Sequence, residues 1–242
     1  MINNKKVLAL IPARGGSKSL PLKNIIDFGG KPLIQWTIDS ALQTSYIDKI
    51  VVSTDNAEIG KVASQKGVFI QNRPPELSRD DSLIKDTIDY VIDTLQKNGE
   101  EFDYFVLLEP TSPLRNVDDI KNCIELIDEY KYDSVATFTE ASLNPWRAWE
   151  IKQTTANSFI DKANPWLPRQ KLPKAYMLNG AVYTTTIDFI RKSEMEIFGG
   201  EGGAIIMPKD RSIDVDDKYD LKLARIILEE NGVEEKFQIK GE

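Results

Sequence analysis

Histidine is absent from this 242-residue chain, and cysteine occurs once, at Cys123. The first absence excludes Ser-His-Asp and Cys-His catalysis, imidazole metal ligation and a histidine pH switch. The second excludes an internal disulfide and a thiolate metal cluster. A bound metal must then be held by oxygen, which points to Mg²⁺, Mn²⁺ or Ca²⁺. Long apolar runs are missing as well. Val7 to Ile11 is too short for the apolar region of a signal peptide, and no stretch approaches the roughly 18 residues of a membrane-spanning helix. A soluble cytoplasmic protein is the expectation. There is no excess of basic residues either: 31 Lys+Arg face 38 Asp+Glu, for a net charge of −7. That argues against general adhesion to nucleic acid or anionic membranes. A local basic pocket for one phosphate compound remains compatible with it.

What is present suits an α/β domain. Hydrophobic residues make up 41% and charged residues 29%, enough for a core and against global disorder. The length fits one domain with an appendage. Short apolar runs at Val7–Ile11, Lys49–Ser53, Val68–Ile70, Tyr104–Leu108 and Ser134–Thr139 read as strands. Between them lie amphipathic stretches at Pro32–Leu42, Glu58–Lys66 (closed by Gly67), Leu83–Leu95 and Val117–Glu129. This alternation predicts a doubly wound, mostly parallel sheet. Ligands bind such sheets at the carboxyl ends of the strands, so the loops after Ile11, Ser53 and Leu108 matter most. The pattern breaks from Leu143 to Lys174, where Trp146, Trp149 and Trp166 stand among Pro145, Pro165, Pro168 and Pro173. The chain therefore divides into a core (1–142 and 175–242) and an inserted arm (143–174). The arm is read as β-rich, either an interface or a satellite core. The core pattern resumes at Ala181–Tyr183, Ala204–Met207 and a last helix near Tyr219–Glu230.

Three segments carry chemistry. The first strand runs into Pro12-Ala13-Arg14-Gly15-Gly16-Ser17-Lys18-Ser19-Leu20-Pro21-Leu22-Lys23-Asn24. Glycines let the backbone approach a ligand and aim N–H groups at it, and Arg14, Lys18 and Lys23 can offset a triphosphate. The spacing is neither G-x-x-x-x-G-K nor G-x-G-x-x-G. A solvated basic loop is the alternative. In Ser212-Ile213-Asp214-Val215-Asp216-Asp217, an extended chain puts Asp214 and Asp216 on one side, suited to an oxygen-ligated divalent ion. The alternative is ordinary turn acids, with Asp217 capping a helix. In Glu109-Pro110-Thr111-Ser112-Pro113-Leu114-Arg115, two prolines fix a turn presenting Glu109, Thr111, Ser112 and Arg115, or simply make a rigid structural turn.

Taken together, Ile11–Lys18 with Leu20–Asn24, Val52–Asp55, Pro110–Arg115 and Ser212–Asp216 form an ordered set resembling the acylneuraminate cytidylyltransferases, the CMP-sialic acid synthetases. Pro168-Arg169-Gln170, Leu172-Pro173 and Asn179–Tyr183 are similar to the family's middle portion, so the resemblance covers nearly the whole chain. It implies a Rossmann-like nucleotidyltransferase fold and, with Mg²⁺, transfer of CMP from CTP to the anomeric hydroxyl of an acidic 2-keto sugar, releasing pyrophosphate. It implies a nucleotide site of Ala13, Arg14, Gly15, Gly16, Ser17, Lys18, Lys23, Asn24 and Arg73, and metal ligands Asp214 and Asp216. The sugar side would comprise Glu109, Thr111, Ser112, Asn179, Gly180 and Tyr183, with Gln170 and the arm's Arg147 and Arg169. The family's usual homodimer implies that those two arginines act across subunits.

Two positions depart from the family pattern. Glu109 stands where members using N-acetylneuraminate carry Gln, and Met177 stands where some carry Arg. An ionised Glu only accepts hydrogen bonds, and a missing arginine leaves the sugar carboxylate without that partner. A legionaminic-type sugar fits at least as well as ordinary sialic acid. The competing readings are an octulosonate cytidylyltransferase, a non-catalytic nucleotide-binding domain, and a dinucleotide oxidoreductase. The last is disfavoured by the absence of G-x-G-x-x-G.

Overall fold

In the computed structural model, which describes residues 1–238 and side chains through Gly232, the first strand β1 (Val7–Pro12) is followed by a small hairpin, β2 (Asp27–Phe28) and β3 (Lys31–Pro32). Then come α1 (Leu33–Gln43), β4 (Lys49–Thr54), α2 (Ala57–Ser64), β5 (Phe69–Asn72), α3 (Ile84–Lys97), β6 (Tyr104–Leu107), α4 (Val117–Tyr130) and β7 (Ser134–Glu140). A second hairpin, β8 (Trp149–Lys152) and β9 (Thr155–Ser158), precedes β10 (Tyr176–Thr186), α5 (Ile187–Lys192), β11 (Gly202–Ile206) and α6 (Lys218–Gln238). Among the described residues no helix is long and apolar enough to cross a membrane.

Seven strands form one sheet in the order β11-β7-β10-β6-β1-β4-β5. β1 lies parallel between β6 and β4, with Leu10 opposite both Leu107 and Val51. Helices cover both faces, which is why Val7–Ile11 is an unbroken apolar run: every residue is fully buried. The alternation of the strand sorts these side chains between two layers. Ala9, Ile11, Val52 and Val106 pack with Ile34 and Ile38 of α1 and Ile120 and Ile124 of α4. Leu8, Leu10, Val51, Phe105 and Leu107 pack with Ile88, Val91 and Leu95 of α3. A third cluster joins Phe28, Leu33, Leu114, Val215, Leu221 and Ala224. It matters for the site, because it pins the 212–217 segment onto the body through Val215.

β10 is the main difference from the sequence expectation. It runs antiparallel to both β6 and β7 and spans eleven residues, not three, with a register shift between Leu178 and Tyr183. Its exposed start, Tyr176 to Leu178, continues the arm, so no buried periodicity marks it. α2 stops at Ser64, three residues before Gly67, whose φ of +73° closes a turn onto the Ser64 carbonyl. The six-residue α5 is too short to show a period.

The arm contains the β8–β9 hairpin and buries little of its apolar surface. Trp166 is 81% and Phe159 70% exposed, and Trp149 and Ile151 are exposed as well. These four side chains form no core within the segment.

Candidate active site

The carboxyl ends of β1, β5 and β6 open into a cleft of about 620 Å³. The loop after β1 forms its floor. Ala13 prolongs the strand ladder, with its N–H on the Ser53 carbonyl at 2.9 Å. Gly15 then presents its N–H to Asp55 Oδ1 at 2.8 Å. A Cβ on Gly15 would come within 2.8 Å of the Asn56 side chain, whereas one on Gly16 would meet nothing within 4 Å. The first glycine is thus demanded by packing. The second leaves open space above the backbone, where a ligand can approach. Asn24 is buried and donates to the Arg14 carbonyl at 3.0 Å, bracing the loop. Leu22 adopts a left-handed backbone, φ +52°, directly before Lys23, an uncommon state for a branched residue and one that structures retain at functional sites.

Arg14, Gly16, Ser17, Lys18, Lys23 and Asn24 line the cleft with Arg73, Glu109, Thr111 and Asp216. Arg73 is buried, its Nε 3.2 Å from Ser53 Oγ and its Nη2 2.8 Å from the Ser53 carbonyl. Burial pushes its pKa down to about 10, against the opposing charge of Asp55 and with Arg14 adding to the fall. Lys23 reaches Asp216 Oδ1 at 2.9 Å. The loop after β1 and the acidic segment 213 residues into the chain thus meet across one opening.

The acidic side is built around a buried cation. Arg115 donates from Nε to the Ala181 carbonyl (2.7 Å), from Nη1 to Thr37 Oγ1 (2.7 Å) and from Nη2 to the Glu109 carbonyl. Burial lowers its pKa to about 10, while Glu109, Asp119 and Asp214 oppose that fall. The Val215 N–H bonds the Thr111 carbonyl at 2.7 Å, joining the two acidic segments. Burial pushes the Glu109 carboxyl up to about 7. Asp214 and then Asp216 add to the rise, and Arg115 and Lys23 oppose it. Asp214 is raised as well, chiefly by burial, against a hydrogen bond with Thr111. Tyr183 stands beside them, raised to about 12 by burial and then by Glu109 and Asp214. Gly180, at φ +72°, brings backbone close to this group: a Cβ there would lie 3.5 Å from Ser112 Oγ and 3.8 Å from Asp214 Oδ2.

Several residues read as ligand contacts serve the scaffold in this geometry. Ala13 is buried, and the Gly15 amide is taken by Asp55. Ser112 is fully buried. Asn179 is buried between Thr137 Oγ1 (2.7 Å), Ser212 Oγ (2.9 Å) and the Ala181 N–H (3.2 Å). A carboxamide with its donors and acceptor so engaged shapes the turn at Gly180 and has little left to offer a sugar. The arm residues Arg147, Arg169 and Gln170 are exposed. Arg147 bonds the Leu167 carbonyl at 2.8 Å and Arg169 pairs with Glu140 at 3.2 Å, both within the chain. Neither lines the cleft.

The wall facing the basic loop was not read from the sequence. It comprises Leu77, Arg79, Asp80, Ser82, Leu83, Ile84 and Thr87, with Asp80 paired to both Arg14 and Lys18. Its position at the end of β5 was the available signal. Its first part, through Ser82, has no glycine motif and no apolar period to mark it, and the helical period from Leu83 onward marks a helix and not a site.

Among the described residues no group of three or more His, Cys, Asp or Glu could cage a metal ion. Asp214 Oδ1, however, is buried with no hydrogen-bond partner. An orphaned carboxylate oxygen beside Asp216 suits an ion whose other ligands come from phosphate and water, the habit of Mg²⁺. Asp217 does cap α6, accepting from the N–H groups of Tyr219 (2.6 Å) and Asp220 (3.1 Å). The capping reading therefore holds for Asp217, and that cap uses the side chain of neither Asp214 nor Asp216.

Comparison with known proteins agrees with this geometry. A family model described as Cytidylyltransferase matches residues 8–186. The chain is 33% identical over 235 residues to the pseudaminic acid cytidylyltransferase of Campylobacter jejuni subsp. jejuni serotype O:2, covering 93% of this chain and 97% of that one. It is 35% identical over 235 residues to the CMP-N,N'-diacetyllegionaminic acid synthase of Legionella pneumophila, with the same coverage. Among solved structures, a CMP:2-keto-3-deoxy-manno-octonic acid synthetase complexed with CTP aligns with a TM-score of 0.68 over 93% of this chain and 99% of its own, at 19% identity. At that identity the likeness is one of fold.

The elevated Glu109 carboxyl has a measurable signature. Its pKa rises from 4.5 to about 7 on folding, so the folded state binds this proton more tightly than the unfolded one. The resulting stability cost is absent below the unfolded value, grows across the interval and is complete above about 7. Glu109→Gln removes it. In chelator, the variant's melting temperature relative to wild type should be higher at about pH 8 than at about pH 5; a difference that is flat across that range would refute the assignment.

Proposed function

The chain belongs to the cytidylyltransferase family, and from that premise we propose how its cleft couples CTP to a nonulosonic acid, yielding the CMP-sugar and pyrophosphate. The observation that carries the reading is the meeting of a glycine-bearing cationic loop with Asp216 across one cleft, two residues from the buried, orphaned carboxylate oxygen of Asp214. The anomeric hydroxyl of the sugar attacks the α-phosphorus in line, and the bond to the bridging oxygen of pyrophosphate breaks. Such transfers depend mainly on positioning and on neutralising developing charge.

Each residue then has a part. Arg14 and Lys18 hold the outer phosphates, Arg as a fork and Lys as a point charge. The open backbone at Gly16 and Ser17 lets those phosphates settle. Lys23, with only 13% of its side chain exposed, sits between them and the acids and offsets charge on the transferred phosphoryl group. Arg73 lines the nucleoside end. Mg²⁺, with Mn²⁺ as a substitute, suits Asp214 and Asp216; bound there it would neutralise phosphate oxygens and acidify a bound hydroxyl. Glu109 and Tyr183 border the acceptor, and Glu109, once ionised, reads hydrogen-bond donors on it. We favour a pseudaminic- or legionaminic-type acceptor over N-acetylneuraminate on that ground.

The arm supplies a dimer contact in this reading. A two-stranded hairpin is marginal on its own, and the exposed side chains of Trp149, Ile151, Phe159 and Trp166 form a surface that monomers rarely leave open. Arg147 and Arg169 reach the partner's acceptor side. The Arg169–Glu140 pair is exposed at both ends, so it yields at small cost.

Three measurements test this. Asp214→Ala with Asp216→Ala should cut CTP-dependent pyrophosphate release by at least about 10²-fold, as should Lys23→Ala; near-normal turnover at saturating Mg²⁺ would remove those residues from the site. With CTP and a panel of N-acetylneuraminate, legionaminate, pseudaminate and octulosonate, the CMP-product masses should favour one of the modified sugars. N-acetylneuraminate emerging as clearly the best acceptor would refute the reading of Glu109. Trp149→Ser with Trp166→Ser should shift sedimentation from dimer to monomer while the far-UV circular dichroism of the fold is kept, and a persistent dimer would refute the arm contact.

A further inference from the structure

The wall opposite the basic loop runs from the 3₁₀ turn at Pro75–Leu77 to the start of α3. The segment is held by its own bonds: the Ser82 hydroxyl donates to the Glu76 carbonyl at 2.7 Å and accepts from the Arg79 N–H at 3.2 Å. This fold sets Asp80 against the loop. Its Oδ1 lies 3.0 Å from Arg14 Nη1 and its Oδ2 2.6 Å from Lys18 Nζ. The neighbouring Arg79 carbonyl accepts a further bond from Arg14 Nη1 at 3.2 Å. Both oxygens of one carboxylate are therefore engaged by the two cations assigned to the outer phosphates.

We infer that Asp80 is an internal counter-anion of the nucleotide site: its carboxylate stands in for phosphate on Arg14 and Lys18, gives way when a polyphosphate arrives, and returns as pyrophosphate leaves. This rests on the reading that those two cations hold the outer phosphates. The exchange is physically accessible, because the Lys18 side chain is 83% and that of Asp80 53% exposed, and pairs so open to water are held weakly. A polyphosphate carries several charges against the single one of Asp80, so it wins the contest. The carboxylate cannot remain between the same cations once phosphate oxygens occupy them, since like charges at that range repel.

The device has a kinetic consequence. Displacing Asp80 costs every anion alike, so CTP and pyrophosphate both bind more weakly than the bare cations would allow. Weaker uniform binding raises the substrate concentration needed but speeds release of the leaving group. A product with one phosphodiester charge gains less from the two cations than a polyphosphate, and the returning carboxylate helps to expel it.

The test is the binding of CTP and of inorganic pyrophosphate, each with Mg²⁺, measured by calorimetry on the full chain. Asp80→Asn should tighten both roughly threefold or more. Asp81→Asn is the control, because it removes the same charge one residue away, from an exposed side chain with no ion pair among the described residues. Arg14→Ala and Lys18→Ala should each weaken binding, and neither should respond as strongly to added Asp80→Asn. If the two cation variants weaken binding while Asp80→Asn leaves it unchanged or weaker, the counter-anion is refuted and the phosphate site stands. If the cation variants bind both ligands normally, the phosphate site itself is wrong, and the inference falls with it. Equal tightening by Asp81→Asn would reduce the effect to net charge and also overturn the inference. Melting curves for each variant establish that the fold is retained.

Discussion

Arg115 is the constraint on which the arrangement depends. Its guanidinium is buried and spans three separate parts of the chain: the turn after β6, the middle of β10 and helix α1. It bonds carbonyls and a hydroxyl instead of pairing directly with a carboxylate, so its charge is balanced from a distance by Glu109, Asp119 and Asp214. The cation and the acids sustain each other. Without Arg115 the acids would crowd with no buried positive charge behind them, and without the acids a desolvated guanidinium would stand alone. Removing one side of such an arrangement costs about 3–5 kcal/mol. A lysine cannot replace it, because a point charge lacks the fork that reaches three acceptors.

The same balance appears on the open side of the cleft. Arg14 and Lys18 meet Asp80, and Lys23 meets Asp216. An acidic protein can therefore present a polyphosphate site without an exposed field of positive charge. The missing histidines fit this economy. Charge neutralisation by Lys and Arg does not require a group that titrates near neutrality.

Much of this was legible in the sequence. Val7–Ile11, Lys49–Ser53 and Tyr104–Leu108 read as strands because burial on both faces forces continuous apolar runs. The strand-end rule then located the loops carrying Arg14, Asp55 and Glu109. Asp214 and Asp216 were found as a pair, but their different settings were not. One keeps an orphaned buried oxygen and the other faces water bound to Lys23. Residues whose role is to hold other residues were harder to read. Arg115, Asn179 and Ser112 sit in short motifs that look like ligand contacts, yet packing turns them inward. Asp80 lay outside any motif, because only the tertiary fold brings position 80 to positions 14 and 18. The early residues of β10 escaped because they are exposed and continue the arm.

The cap of α6 bears on where this chain can be cut or tagged. Asp220 accepts from the N–H groups of both Asp216 (3.1 Å) and Asp217 (3.0 Å), while Asp217 accepts from Tyr219 and Asp220. Leu221 and Ala224, one turn on, lie in the cluster that buries Val215 between Asp214 and Asp216. The first two turns of the last helix are thus the mount on which the acidic segment is fixed. A deletion reaching back to Leu221 would leave every cleft-lining residue in the sequence and still dismantle the cleft, whereas a fusion placed after the helix leaves that mount intact.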